Sequence, residues 1–278
     1  MASLPELIPI QCSFCGRTPA IGKLQHCSRC LKATYCSVKC QADDFHNHNG
    51  TCVPLNRAST VVLMMIWGSG GIEDDWDEWL PALKSKVNVR LIQTRQAALD
   101  FLTKGSRHIP VILADGGLAR KQERGLQQLL ARFVQTGGVV VLAFYLAHRT
   151  TQDELDSLFA DFNLPWRRGD RLMDYFAPNN DSSHISAFAF DDNYKQMAQQ
   201  LRNVELEDAV YLPNTETVPK MGDIEQVPAA LGRCGGGWVG FIGDLDGEIK
   251  PIPILLYMCG VMESDSSAGT LCNCLTRP

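Results

Sequence analysis

No stretch of 18 consecutive apolar residues occurs in this chain of 278 residues, so no segment has the composition of a membrane-spanning helix. Positive charge is not in excess either. The 26 Lys and Arg are outnumbered by 31 Asp and Glu, for a net charge of −5. That balance disfavours a nucleic-acid binder relying on general basicity. The start, Met1-Ala-Ser-Leu-Pro-Glu6, has no basic n-region and no long apolar h-region, and residues 275–278 are not a prenylation box. The expectation is therefore a chain without a secretory signal, residing in a reducing compartment, the cytoplasm and/or the nucleus. There is no internal repeat and no low-complexity tract. Cysteine is missing from residues 53 to 233, and the 11 cysteines crowd toward the two ends.

Seven of those cysteines and one histidine fall within the first 52 residues as four pairs: Cys12-x2-Cys15, Cys27-x2-Cys30, Cys36-x3-Cys40 and His48-x3-Cys52. In a reducing compartment, closely paired thiols read as metal ligands rather than disulfides. Zinc takes four sulfur or imidazole donors in a tetrahedron, so eight ligands complete two shells and leave no position open for water. Such zinc is structural. A Cys-x2-Cys knuckle sets two sulfurs on one metal through a tight turn, while the (i, i+4) pairs present both donors from one helical face. The spacing suits an interleaved arrangement, with Cys12, Cys15, Cys36 and Cys40 on one zinc and Cys27, Cys30, His48 and Cys52 on the other. A sequential arrangement, the first four ligands and then the last four, suits it nearly as well.

Residues 8–53 resemble the MYND-type zinc finger through Cys12-Ser-Phe-Cys15, Cys27-Ser-Arg-Cys30, Tyr35-Cys36-Ser37, Cys40-Gln41-Ala42-Asp43-Asp44-Phe45 and His48-Asn-Gly-Thr-Cys52. The resemblance covers about one fifth of the chain. It implies the interleaved, cross-braced pairing and selects His48 over His46 as the ligand. It also implies a protein partner held as a short proline-containing peptide by Gln41 and the aromatic at position 45. Here that aromatic is Phe45, where the family usually has tryptophan. Residues 1–53 carry five Lys or Arg and three acids, a net of +2. Seven thiolates and two Zn2+ bring the loaded module near −1, which leaves little with which to neutralise phosphates. Phe14, Tyr35 and Phe45 suit a miniature core as well as a peptide shelf.

After a linker at residues 54–60, the pattern becomes apolar strands alternating with amphipathic helices. Strands are expected at 61–67, 87–93, 110–115 and 139–144, with helices starting near Trp76, after the capping residue Thr94, around Leu126 to Val134, and over 153–162. Residues 165–180 read as loop. Strands follow at 187–191, 208–212 and 237–243, then a helix at 253–261 and a loose tail at 264–278. The fold class expected is thus a small two-zinc cross-braced finger followed by an α/β domain at 61–263, with a mostly parallel open sheet and helices on both faces.

The larger segment looks like the class I glutamine amidotransferase-like superfold in its strand–helix order, in Phe133-Val-Gln-Thr-Gly-Gly-Val-Val-Val141, and in Gly237-Trp-Val-Gly-Phe-Ile-Gly-Asp244. That resemblance implies a sharp elbow after the strand at 139–144, where active members carry a cysteine. This chain reads Ala143-Phe-Tyr-Leu-Ala-His148, with no cysteine or serine. The expectation is a non-catalytic scaffold in a zinc-binding interaction or adaptor protein. The alternative is an enzyme or small-molecule binder with a site at the strand ends, using Gly68-Ser-Gly-Gly71, Asp115 and the segment from Asp244 to Glu248; His148 and His184 are further polar residues of that region. Cys234 reads as an ordinary thiol in a loop.

Overall fold

Zinc knuckles need little regular structure around them, and the finger has little among its described residues. In the computed structural model, which describes residues 11–18, 25–26, 33–45, 47–48, 59–66, 78–179, 194–214, 226–244 and 250–261, the finger contributes a two-residue antiparallel pair. These strands are β1 (Gln25–His26) and β2 (Thr34–Tyr35), followed by a short helix α1 (Val38–Asp43).

Continuous apolar runs become strands buried on both faces. This is the case for β3 (Thr60–Met64), β5 (Val111–Leu113) and β6 (Val139–Leu142), whose residues are buried almost throughout. β4 (Asn88–Ile92) is largely exposed, because it is the outer edge of the sheet. Between these strands lie α2 (Trp79–Lys86), α3 (Arg95–Lys104) and α4 (Arg124–Gln135). Thr94 caps α3 by accepting from the Ala97 N–H at 3.2 Å. α4 buries Leu126, Leu130, Phe133 and Val134, and also Gln127, whose amide donates to the carbonyls of Leu118 and Arg120. At its end Gly137 takes φ +108°, which a β-carbon would oppose. After β6 come α5 (Tyr145–Arg149) and α6 (Gln152–Asp161), the latter opened by a Thr151–Glu154 capping box.

The rest of the sheet is antiparallel: β7 (Arg167–Pro178), β8 (Tyr194–Arg202), β9 (Ala209–Pro213), β10 (Ala229–Cys234) and β11 (Gly237–Ile242), with α7 (Ile252–Met258) closing the described chain. The strand order is β4-β3-β5-β6-β11-β10-β9-β7-β8. Pairing is parallel from β4 to β11 and antiparallel from β11 to β8. The far edge of β8 bridges back to Val227 and Asp244, so this half curls on itself. One buried cluster gathers α2 and α7 on one face, and another gathers α3, α4 and α6 on the opposite face.

The expected mostly parallel sheet is therefore corrected to a mixed one. Parallel neighbours need a crossover of a dozen or more residues, whereas β10 and β11 are joined by Gly235 and Gly236 alone. The expected loop at 165–180 is also corrected, since most of it is the twelve-residue strand β7. Its run of Arg and Asp hides any alternation, because only Phe176 of the strand is fully buried. β8, Tyr-Lys-Gln-Met-Ala-Gln-Gln-Leu-Arg, carries no strand pattern of its own and is held by pairing with β7. Cys234 lies at the end of β10 rather than in a loop; it is buried, and burial pushes its thiol up to about 12. The strand expected at 187–191 and the tail at 264–278 lie outside the described residues.

Asp208 leads into β9 with its carboxylate set against Gly232 and the Trp166 ring. Burial, then the charges of Glu207 and Glu205, raise its pKa to about 7. Between the ordinary carboxylate range and that value the folded chain keeps a proton that the unfolded chain has released. Stability should accordingly fall as pH rises through this window. Urea titrations from pH 5 to 8 should show this slope in the natural chain and a flatter one in Asp208→Asn, which should be the more stable of the two at pH 8.

Candidate metal centre and strand-end elbow

The first ligand pair is set by a turn. Gly16 donates to the Cys12 carbonyl at 2.9 Å with φ +69°, and Cys12 donates to the Arg17 carbonyl at 2.9 Å. This turn is tied to β2, since the Ser13 N–H donates to the Thr34 carbonyl and the Thr34 N–H donates to Ser13 Oγ at 2.9 Å. The second pair is set by α1. Ser37 caps that helix by accepting from the Cys40 N–H at 3.2 Å, which places Cys36 and Cys40 one turn apart. Tyr35 is fully buried in one small cluster with Cys12, Cys36 and Cys40, and its hydroxyl donates to Asp44 Oδ2 at 2.9 Å.

The sulfurs of Cys12, Cys15, Cys36 and Cys40 all lie within 4.8 Å of one another. Cys36 Sγ is 3.5 Å from both Cys15 Sγ and Cys40 Sγ. A tetrahedron with zinc–sulfur bonds of about 2.3 Å has sulfur–sulfur edges of about 3.8 Å. The cluster therefore fits one zinc with four thiolates, in the interleaved grouping. As thiols Cys12 and Cys36 differ. Burial raises the Cys12 pKa, but the N–H groups of Cys15, Cys36 and Phe14 outweigh it and bring the value down to about 6. Cys36, sharing hydrogen bonds with Cys40 and then Cys15, is pushed up to about 12. Of the remaining ligand candidates, His48 is half-buried and packs edge-on to Tyr35 at 6.1 Å between ring centroids. Cys27, Cys30 and Cys52 lie outside the described residues. Gln41 is half-buried on α1, while Phe45 beyond it and Phe14 on the knuckle are 39% and 44% exposed. Of the three finger aromatics, only Tyr35 is core.

At the strand ends, β6 leads into α5 through Phe144, with φ +56° and ψ −129°. This region is sparsely populated for any residue with a side chain and costs on the order of 1–3 kcal/mol. A strand–turn–helix of this kind is how α/β enzymes lift a nucleophile above the sheet. Phe144 instead turns into the core at 4% exposure and stacks on Trp79, ring centroids 3.8 Å apart and planes 19° apart. Asp115 and Asp244 follow the strands on either side of β6. They are therefore two strand spacings, about 10 Å, apart. Both are buried; Asp115 accepts from the Gly117 N–H at 2.9 Å, and Asp244 bridges to Ala198. His148 is exposed on α5. The segment 68–71, His184 and Glu248 lie outside the described residues. Phe144 is the site residue that composition and periodicity miss, since only backbone geometry reveals its turn.

Cys36→Ala should lower the zinc content of the purified chain by one atom, measured by elemental analysis, because three sulfurs cannot close the shell. Phe144→Ala should destabilise the α/β domain by about 3–5 kcal/mol through loss of the buried ring. Phe144→Gly should cost about 1 kcal/mol less than Phe144→Ala, because glycine accepts the positive φ; equal midpoints in urea would contradict the strain.

No curated protein matches the chain in sequence. Solved structures with a similar arrangement include a ThuA-like protein from Bacteroides uniformis, 9% identical over 74% of this chain and 93% of that one, with a TM-score of 0.49. A cytoplasmic protein from Salmonella typhimurium is 15% identical over 73% of this chain and 96% of that one, with a TM-score of 0.47. A beta-galactosidase from Bacillus circulans is 12% identical over 73% of this chain but 31% of its own, with a TM-score of 0.46. These likenesses carry neither substrate nor activity over to this chain. Residues 12–52 match the model of the MYND finger family, and the N-terminal segment is a zinc-binding, MYND-type finger.

Proposed function

We propose that this chain is a protein-interaction or adaptor protein in which the finger at 8–53 captures a partner peptide and the α/β domain at 61–263 is a non-catalytic scaffold. The observation that carries the reading is the closed four-sulfur cluster, which offers a metal no vacant position for substrate. MYND fingers are generally protein-interaction modules. The full ligand set of this reading is Cys12, Cys15, Cys36 and Cys40 on one structural zinc, with Cys27, Cys30, His48 and Cys52 on a second. Exposed Phe14, Val38 and Phe45 supply apolar area for a partner around α1. Gln41 and Phe45 are the residues assigned to a proline-containing peptide, whose preformed extended shape lowers the entropy cost of docking.

The scaffold role is supported by the elbow. Its backbone has the shape that presents a nucleophile, but the residue there is an inward-facing phenylalanine stacked on Trp79. This is also what favours the amidotransferase-like reading of the α/β domain, without the chemistry. The alternative of an enzyme at the strand ends would need Asp115 and Asp244 to act across this apolar plug. The setting proposed is the cytoplasm and/or the nucleus, with no helix among the described residues long and apolar enough to cross a membrane.

Phe45→Ala should reduce partner capture in a pull-down at least severalfold while the zinc content of the chain stays unchanged. Capture equal to the natural chain would return Phe45 to a packing role and remove the peptide shelf.

A further inference from the structure

A concentration of positive charge sits where α5 ends and β7 begins, in a chain whose net charge is −5. His148 and Arg149 close α5. Arg168 and Arg171 flank the irregularity in β7, where pairing with β8 changes register between them. Arg168 is anchored twice: its Nη1 donates to the carbonyl of Thr150, just after α5, and its Nε donates to Gln199 Oε1 at 2.9 Å. Arg171 is the cross-strand partner of the same Gln199. Two segments far apart in sequence are thereby pinned together with four basic groups between them. The crowding is felt in their titration. Burial, then the charges of Arg171, Arg149 and Arg168, lower the pKa of His148, while burial and Arg171 lower that of Arg168 against the pull of Asp156.

Neutral acceptors hold the Arg168 guanidinium in place without cancelling its charge. Two acids on the adjoining elements have other partners as well. Asp156 accepts the Arg168 N–H at 2.7 Å and pairs with Arg167 at 3.9 Å; Asp170 pairs with Arg202 at 2.9 Å and accepts from Gln226 at 2.8 Å. Among the described residues, no ion pair involves Arg149 or Arg171. The carbonyl end of a helix favours nearby cations. That accounts for His148 and Arg149, but not for two arginines brought from another element. Held like charges are a cost that a bound anion would relieve. The place is also suitable, since α5 follows the carboxyl end of β6, the edge at which α/β sheets bind ligands.

We propose that His148, Arg149, Arg168 and Arg171 form a binding site for the phosphate group of a small phosphate-bearing ligand. A tetrahedral dianion offers several oxygens to several guanidinium forks at once, whereas a carboxylate uses one. The site is independent of peptide capture by the finger and goes beyond that role.

The test uses the full zinc-loaded chain at low salt, titrated by calorimetry and followed by thermal unfolding with inorganic phosphate, phenyl phosphate, or chloride at matched ionic strength. At least one phosphate compound should bind saturably and raise the unfolding midpoint above that in chloride. Tighter binding of phenyl phosphate identifies an ester ligand; tighter binding of inorganic phosphate identifies the free anion. Arg149→Gln and Arg171→Gln should each weaken binding about tenfold, the loss of one charge-assisted contact. Both should also raise the midpoint in chloride, because repulsion is relieved; a merely structural arginine would lower it. Arg132→Gln, an exposed position on α4, should leave binding unchanged. Absence of saturable binding by either compound, equal weakening by Arg132→Gln, or natural affinity in Arg171→Gln would overturn the site.

Discussion

Metal–thiolate bonding is the constraint on which the N-terminal segment rests. The buried apolar residues of its described part are Cys12, Ala33 and Tyr35, with Cys36 and Cys40 packed against them. A cluster that small cannot offset the entropy of ordering some forty residues, and modules of this size generally need metal or disulfides. Zinc coordination supplies the missing free energy only when all four sulfurs converge. The local structure serves that convergence: a left-handed Gly16 closes the knuckle, Ser37 caps α1 to present Cys36 and Cys40, and Tyr35 packs against Cys12, Cys36 and Cys40 of both pairs. The aromatics outside that shell, Phe14 and Phe45, are exposed.

The α/β domain carries a different tension. Phe144 keeps a backbone conformation that ordinarily persists where it positions a reacting group. Here the neighbours that hold the turn are apolar. The Trp79 ring lies against Phe144, and Ala143 is hydrogen-bonded into the sheet through the Leu113 carbonyl at 3.0 Å. The strain is thus offset by burial of a large side chain. The basic groups near this edge are His148 and Arg149 on α5 and Arg168 and Arg171 at the start of β7.

The parallel half of the sheet was legible because its strands are covered on both faces. Val61 to Met64, Val111 to Leu113 and Val139 to Leu142 form unbroken apolar runs, and the stripe from Leu126 to Val134 can only be a helix lying on them. Legibility ended where burial became one-sided. β7 alternates poorly because only Phe176 of it is buried, and β8 buries Gln196, Gln199 and Gln200 among its partners. Buried glutamines leave no hydrophobic period to detect. Cys234, beside three glycines, reads as part of a turn although it ends a buried strand.

By itself the sequence determined what depends on residue type and spacing: the zinc ligand candidates, the absence of a nucleophile after β6, and the strands whose apolar runs have no other use. Tertiary structure alone decided what depends on partners distant along the chain. It turned half of the sheet antiparallel, closed the elbow with Trp79, and set Arg168 and Arg171 beside His148 and Arg149. Periodicity records whether a side chain faces protein or water, but it carries no record of which strand lies alongside. Cross-strand register and the clustering of like charges are therefore properties of the assembled chain.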